Sequence, residues 1–112
     1  MSAEGKISLW LPEPNTVPHQ AAGKLGEELG EAGAIAARIL IQGFGGVDPK
    51  SGKPNRAALL EELADIEAAT LWLRQVIGLT DDEVAASVER MNRKFAGFKT
   101  WQRMIEAHEA GL

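Results

Sequence analysis

Residues 17–42 read VPHQAAGKLGEELGEAGAIAARILIQ, and residues 56–77 read RAALLEELADIEAATLWLRQVI. Apolar residues recur in both stretches at steps of three and four, which is the spacing of one face of an α-helix. Thr16 is a suitable N-cap for the first stretch, and Gly43 and Gly78 are natural residues at which the two helices end. The sequence therefore predicts two long helices that pack against each other along apolar seams.

The segment between these helices, residues 43–55, reads GFGGVDPKSGKPN. Its glycines and prolines predict a loop, with Asn55 as the N-cap of the second helix. The loop is longer than most helix–helix connections, which indicates a functional segment. Lys50 and Lys53 in the loop, and Arg56 beside it, are interpreted as solvated charges rather than as a lid over a ligand.

The C-terminal part of the chain predicts two further helices. Residues 80–83, TDDE, have the pattern of a capping box, which opens a helix. This helix is expected to run to about Phe95 and to stop near Gly97, and a fourth helix is expected over about residues 99–110. At the other end of the chain, prolines predict an irregular N-terminal arm over residues 1–15.

The chain as a whole is expected to form one all-α domain, residues 1–112, in which about four helices form a bundle and the two long helices are antiparallel. No stretch alternates apolar and polar residues as a half-buried strand does. A chain of 112 residues buries only a modest core by itself, so we expect oligomerisation to complete the bundle.

The composition argues against several classes of function. The net charge is −4, and duplex nucleic acid requires a basic surface, so no nucleic-acid partner is expected. The absence of cysteine excludes disulfides and thiolate sites and suits the reducing cytoplasm, where we expect the protein to act. No apolar run reaches the length of about 18 residues that a membrane span needs, and the N-terminus lacks the pattern of a signal peptide.

Two glutamates stand at positions where apolar residues are expected. Glu28 interrupts the seam of the first long helix, and Glu62 interrupts the seam of the second. An uncompensated carboxylate on a buried seam is costly, so these two positions call for a chemical reason. The seams consist of Leu25, Glu28, Ala32, Ile35 and Ile39 in the first helix and of Leu59, Glu62, Ile66, Ala69, Leu73 and Val76 in the second.

Each of these glutamates has an acidic partner three residues later, Glu31 after Glu28 and Asp65 after Glu62. Residues at i and i+3 are neighbours on a helix, so each pair presents two carboxylates in one direction. Antiparallel helices can bring the two pairs face to face, where four carboxylates repel one another unless a cation binds. Oxygen-only ligands favour Mg²⁺, Mn²⁺ or Ca²⁺. A single pair is most often solvated, but two pairs at seam positions favour a metal site.

Other metal sites fit the sequence poorly. Di-iron bundle proteins use Glu-x-x-His motifs, and neither His19 nor His108 follows a glutamate by three residues. Zinc sites use histidine or cysteine ligands, and cysteine is absent. A hard divalent cation is therefore the preferred interpretation.

The acidic motifs resemble those of a known family. KLGEELGEAGAIAAR at residues 24–38, followed by EELADIEAATLWL at residues 61–73, is similar to the MazG-like, all-α nucleoside triphosphate pyrophosphohydrolases. The resemblance covers roughly residues 24–94. Thirty residues, 32–61, separate the two motifs, somewhat more than is usual in the family, and the surplus lies in the loop. The family signature of Glu-Glu-x-x-Glu and then Glu-x-x-Asp corresponds here to Glu27, Glu28, Glu31, Glu62 and Asp65.

The resemblance implies an enzyme that cuts a canonical or modified (deoxy)nucleoside triphosphate into a monophosphate and pyrophosphate, with water attacking the α-phosphorus. Glu28, Glu31, Glu62 and Asp65 would hold Mg²⁺ on the phosphates, with Mn²⁺ as a substitute. The resemblance also implies a homodimer or homotetramer whose subunits together build the pocket.

Five residues outside these motifs are assigned to substrate binding. The resemblance implies that Asn92 and Lys94 lie near the phosphates. Lys24, one turn before the first carboxylate pair, can form an ion pair with it or reach a phosphate. His19 and Gln20, at the start of the first helix, are candidate readers of a base edge. The aromatic residues on the helices are interpreted as core.

Two alternatives remain open. A non-enzymatic helical oligomerisation module would carry its acids as surface charge, which the seam positions of Glu28 and Glu62 oppose. The other alternative is a pyrophosphohydrolase that acts on another pyrophosphate compound, such as a nucleotide sugar or an alarmone. The sequence distinguishes this enzyme poorly from the preferred interpretation.

Overall fold

The computed structural model describes residues 14–111 and is helical throughout most of that range. Its helices are α1 (Val17–Gln42), α2 (Asn55–Ile77) and α3 (Asp81–Glu109). The predicted all-α class is confirmed, because the only strand-like feature in the described range is an isolated bridge between Val47 and Pro54. The predicted irregular arm, residues 1–15, lies outside the described residues except for its last two positions.

Helices α1 and α2 form an antiparallel hairpin along the predicted seams. Every seam position is at least partly buried, and the glutamates at positions 28 and 62 are among the most buried. Small residues, Ala21 on α1 and Ala69 on α2, are the fully covered apolar positions of the described range. Alanines let two helices approach closely, and a close approach brings the carboxylates of the facing seams within reach of each other.

The ends of the two helices follow ordinary capping chemistry with one exception. Gly43 ends α1 at φ +79° and Gly78 follows α2 at φ +69°, a backbone conformation that glycine adopts without a steric cost. Thr16 occupies the N-cap position of α1, but its side chain makes no capping hydrogen bond. The proline in the first turn of α1 reduces the number of N–H groups that need a cap.

The role predicted for Asn55 is wrong. Asn55 is fully buried, and its amide holds the loop against α1 instead of capping α2. Its Oδ1 accepts a hydrogen bond from Arg38 Nε at 3.0 Å, and its Nδ2 donates to Gln42 Oε1 at 3.2 Å and to the Gly43 carbonyl at 3.1 Å. The long loop is therefore tied at its base to the last turns of α1.

The predicted break near Gly97 is also wrong, because α3 continues through it as one helix. A glycine inside a helix costs about 1 kcal/mol relative to alanine, which two long flanking helical segments can offset when no proline follows. The capping box that opens α3 is confirmed. The Thr80 side chain accepts from the Glu83 N–H at 3.1 Å, and the Glu83 carboxylate accepts from the Thr80 N–H at 3.0 Å.

The chain divides into two compact units, one ending at Ile77 and one beginning at Gly78. The first contains the α1–α2 hairpin, and the second contains α3, of which no residue is buried. None of the helices in the described range combines the length and the apolar character that crossing a membrane requires.

Candidate metal centre

The centre of the hairpin holds two buried carboxylates that face each other across the helix interface. Glu28 on α1 is 8% exposed and Glu62 on α2 is 6% exposed. Their partners Glu31 and Asp65, about one helical turn later on the same side of each helix, are exposed. Each helix thus presents one buried and one accessible carboxylate on neighbouring turns.

Three of these side chains converge closely. Carboxylate oxygens of Glu28, Glu62 and Asp65 all lie within 4.8 Å of one another. The Glu28 Oε2 and Glu62 Oε1 atoms are buried and have no hydrogen-bond partner. Buried polar atoms are normally paired, so two orphaned carboxylate oxygens in one cluster indicate a ligand position.

The electrostatics of the cluster act most strongly on Glu62. Contact with the neighbouring Glu28 carboxyl, the loss of solvation and the charge of Glu31 raise the pKa of Glu62 from 4.5 to about 7. A carboxyl with such a pKa shares a proton with its neighbour near neutral pH or requires a cation in its place. A perturbed carboxyl in a cleft is a common mark of a functional site.

Lys24 neutralises the cluster only in part. Its Nζ lies 3.6 Å from Glu28 Oε1 and 3.3 Å from Glu27 Oε2, and half of its side chain is exposed. The Glu27 carboxylate, and after it Glu28, raise the pKa of Lys24, so this side chain stays positively charged. One exposed ammonium shared between two carboxylates is a weak counter-charge for a buried acidic cluster.

The donor set fits a hard divalent cation. All three converging groups are carboxylates, which Mg²⁺ and Mn²⁺ prefer, and the described residues nearby offer neither thiolate nor imidazole. Mg²⁺ binds oxygen at about 2.1 Å, so ligand atoms on opposite sides of one ion are about 4.2 Å apart. Three oxygens that share one ion lie about 3.0 to 4.2 Å apart. The oxygens of the cluster lie within 4.8 Å of one another, so the side chains would move closer together on binding.

Glu31, the fourth predicted ligand, lies beside the cluster and outside the group of three. Its charge and a contact of its carboxyl act on Glu62, yet its side chain is exposed. It lines a cavity of about 380 Å³ that opens toward the loop, and Glu62 lines the same cavity. Glu31 is therefore close enough to act with the other three from the loop side.

Two further cavities open on the other side of the cluster. One, of about 430 Å³, is bordered by Glu28 and Asp65, and the other, of about 450 Å³, by His19 and Gln20. Lys24 and Trp72 line both of them, so the two cavities lie side by side between the start of α1 and the carboxylates, and together they are called the groove. The structure thus brings His19, Gln20 and Lys24 together on one side of the site.

The interpretation of the helical aromatics as core is wrong, because Trp72 on α2 and Phe95, Phe98 and Trp101 on α3 are all exposed. The Trp72 side chain is 40% exposed and lines the groove, with Gly23, Ala68 and Ala69 among its neighbours there. Small side chains around a tryptophan leave one face of the indole accessible. The sequence signal was available, because Trp72 lies seven residues, or two helical turns, after Asp65 and therefore on the same face of α2.

Asn92 and Lys94 lie on α3, in the second compact unit, and both are exposed. Lys94 lines a shallow basic depression of about 240 Å³ with Arg90 and Arg93. The part of Asn92 and Lys94 in substrate binding stays a prediction.

Arg38 is the charged residue of the site that sequence reasoning missed. It lies on α1 seven residues after Glu31 and lines the loop-side cavity with Glu31 and Glu62. The spacing of two helical turns from Glu31 places Arg38 on the same face of α1. Nothing else in the sequence indicates that this arginine, near the end of the helix, lies beside the loop.

No protein-family model, curated protein or solved structure matches the chain. Membership of the MazG-like family therefore stays a prediction.

Proposed function

We propose that the protein is a Mg²⁺-dependent nucleoside triphosphate pyrophosphohydrolase that converts a (deoxy)nucleoside triphosphate and water into the monophosphate and pyrophosphate. The observation that carries the proposal is the convergence of Glu28, Glu62 and Asp65 around two buried, unpartnered carboxylate oxygens. The similarity of the acidic motifs to the MazG-like signature supports the choice of substrate and of the bond that is cut.

Glu28, Glu62 and Asp65 would hold the cation, with Mn²⁺ as a substitute for Mg²⁺. The bound cation would lower the pKa of water and neutralise phosphate charge. The protein's own contribution is positional, since two packed helices each carry carboxylates of the cluster at fixed positions.

The reaction balances as a hydrolysis. The water oxygen forms a bond to the α-phosphorus, and the bond from that phosphorus to the bridging oxygen breaks, with its electron pair leaving on pyrophosphate. One proton of the water must be accepted nearby. Glu31 is our candidate acceptor, because it lies beside the cluster, outside the group of three, and is open to solvent.

The groove beside Trp72 suits the nucleoside. Its exposed indole offers a stacking surface, and His19 and Gln20 at the far end of the groove can donate and accept hydrogen bonds at a base edge. Lys24 stands between the base end and the carboxylates, where a phosphate of the substrate would pass. Asn92 and Lys94 remain proposed phosphate contacts from α3.

We further propose that the protein acts in the cytoplasm, in control of the nucleotide pool, and as a homodimer or homotetramer. The support for an oligomer is the small amount of apolar surface that the described residues bury. A pocket on a two-helix hairpin is shallow, and a second subunit would deepen it.

The deciding experiment is hydrolysis of a panel of canonical and modified nucleoside triphosphates with Mg²⁺ in ¹⁸O-labelled water. We expect monophosphate and pyrophosphate as products, with the label in the monophosphate. Label in pyrophosphate would mean attack at the β-phosphorus, and release of diphosphate with orthophosphate would mean γ-phosphatase chemistry. Either result would overturn the assignment.

Two control arms separate the alternatives. A nucleotide sugar and an alarmone in the same panel test whether another pyrophosphate compound is the preferred substrate. Absence of turnover with every compound, together with no effect of Mg²⁺ on thermal stability, would favour the non-enzymatic oligomerisation module.

A further inference from the structure

The loop-side cavity lies across the carboxylate cluster from the groove at Trp72. Glu62, whose buried Oε1 has no partner, lines the loop-side cavity, whereas Glu28 and Asp65 line the groove. The cluster therefore borders both spaces, and an extended ligand bound at the cluster would reach from one to the other.

Arg38 stands in the loop-side cavity on a rigid support. Its Nε donates to Asn55 Oδ1 at 3.0 Å, and Asn55 is itself fully buried and bonded to the last turn of α1. Its Nη1 lies 3.9 Å from Asp48 Oδ2, and the side chain is 28% exposed. A guanidinium has five N–H donors, so these two contacts leave donors free for a ligand.

The partner of Arg38 is also held in place. Asp48 accepts hydrogen bonds from the Lys50 N–H at 3.0 Å and from Ser51 Oγ at 3.1 Å. The first of these bonds is the main reason that the pKa of Asp48 is lowered. An ionised Asp48 orients the guanidinium without occupying all of its donors.

Lys53 supplies the second cation of this cavity. Its Nζ lies 2.7 Å from Glu61 Oε2 in an exposed pair. Exposed ion pairs contribute little to stability, so an anionic ligand can recruit this ammonium at a small cost. On the opposite side of the cluster the groove has a single cation, Lys24, which two glutamates already share.

We propose that the loop-side cavity binds the β- and γ-phosphates of the substrate, and later the pyrophosphate product, through Arg38 and Lys53. This proposal rests on the proposed function and adds the polarity of the substrate to it. The nucleoside lies in the groove at Trp72, the α-phosphate lies at the carboxylates, and the terminal phosphates lie under the loop.

The distribution of charge and apolar surface sets this polarity. Pyrophosphate carries most of the charge of the substrate, and the loop side offers two cations, Arg38 and Lys53, which stand among the carboxylates of Glu31, Asp48, Glu61 and Glu62. The groove offers one cation, Lys24, among Glu27, Glu28 and Asp65. The opposite side has an indole with alanine and glycine neighbours, which suits a planar base. The 43–54 loop then serves as a leaving-group site.

The test is binding of inorganic pyrophosphate with Mg²⁺, and separately of a nucleoside monophosphate with Mg²⁺, by titration calorimetry. Lys53→Met and Arg38→Lys should each weaken pyrophosphate binding about tenfold, the effect of losing one charge-assisted hydrogen bond. Monophosphate binding should stay within about twofold of wild type. Lys50→Met, a loss of the same charge in the same loop outside the cavity, is the matched control and should change neither affinity.

The outcomes separate this inference from the proposed function. Pyrophosphate binding that neither Lys53→Met nor Arg38→Lys weakens overturns the inference, even if the wild type hydrolyses triphosphates. Weakened monophosphate binding with intact pyrophosphate binding overturns it as well, because the polarity is then reversed. Pyrophosphate binding that depends on both residues in a protein without any triphosphate turnover supports the anion site and overturns the proposed function. If the Arg38→Lys variant does not fold, pyrophosphate binding by the Lys53→Met variant alone decides the outcome.

Discussion

Glu62 occupies a seam position where an apolar side chain would pack, and it packs there as a carboxyl with a raised pKa. The neighbouring Glu28 has the same place on the other helix, so the two residues destabilise the hairpin together whenever both are ionised without a cation. Because this repulsion lowers the stability of the free protein, binding of a cation should raise the free energy of unfolding by a measurable amount.

Substitution Glu62→Gln removes one charge from the cluster and keeps the shape of the side chain. We expect turnover of triphosphate to fall roughly 100-fold or more. Mutation of a residue that only supports a metal ligand lowers metal affinity or activity about 10–100-fold, and Glu62 would be a ligand itself. In the metal-free protein we expect a higher melting temperature, because the repulsion from Glu28 is relieved. Steady-state kinetics and thermal melting in EDTA measure the two effects.

Glu67→Gln is the matched control for this prediction. Glu67 lies on the same helix, is exposed and belongs to no part of the cluster. Its substitution should change neither turnover nor melting temperature. Wild-type turnover by Glu62→Gln under saturating Mg²⁺ would remove Glu62 from the site.

The pKa of Glu62 also predicts how stability depends on pH in the absence of metal. The group titrates near 4.5 in the unfolded chain and near 7 in the folded one. Between these values the folded state binds a proton that the unfolded state has released. The stabilisation of the folded state by protonated Glu62 is therefore complete below pH 4.5 and is lost as the pH rises through 7.

Urea unfolding in EDTA from pH 5 to pH 8 measures this slope. We expect the free energy of unfolding to decrease across the range in the wild type, and the decrease to be smaller in Glu62→Gln. Added Mg²⁺ should flatten the curve, since a cation takes the place of the proton. An increase of metal-free stability over this range would contradict the assignment of the raised pKa to Glu62.

At the scale of the helices, the continuity of α3 through Gly97 makes a direct prediction. Gly97 has helical backbone dihedrals, and a Cβ added there meets no atom within 4 Å. Gly97→Ala should therefore stabilise the protein by about 0.5–1 kcal/mol, through higher helix propensity and a lower entropy of the unfolded chain. Urea unfolding measures the change. A loss of stability would mean that the chain bends at this glycine.

The base of the loop predicts a larger effect in the opposite direction. Asn55→Ala removes three hydrogen bonds, so that Arg38 Nε, Gln42 Oε1 and the Gly43 carbonyl each lose one partner. We expect a loss of about 1–3 kcal/mol in the free energy of unfolding. Gln75→Ala, an exposed amide on the same helix, is the control and should have little effect. Equal stability of the two variants would contradict the structural role of Asn55.

How much of these elements the sequence predicts depends on the range of the forces involved. The bounds of α1, the seams and the buried positions of Glu28 and Glu62 follow from helical periodicity, which the chain carries locally. The buried amide of Asn55 does not, because Asn is equally typical of a helix cap and only the packed loop distinguishes the two roles. The rigid placement of Arg38 was missed for the same reason, as its partners come from the loop.

At the scale of the whole molecule, the apolar surface is larger than the described residues cover. The buried apolar residues are two alanines, while Leu40, Ile41, Phe95 and Trp101 are among the large side chains that are more than half exposed. Exposed apolar area on this scale is typical of a surface that another chain covers.

We therefore expect light scattering to give a mass of two or four times 12.0 kDa. Leu40→Glu should shift the distribution toward the monomer, because it places a charge in the surface that a partner would cover. Gln75→Glu, on an exposed position of α2, serves as the control for added charge. A 12.0 kDa particle in the wild type at micromolar concentrations would contradict the prediction.

The single loop that joins α1 to α2 also has a consequence for the speed of folding. Glu28 and Glu62, which meet at the centre of the hairpin, are 34 residues apart in the chain (62 − 28), so the contacts that form the site are long-range and form only when the two helices dock. The repulsion between Glu28 and Glu62 arises in the same step in which the helices dock. Divalent cations would then accelerate docking as well as stabilise its product.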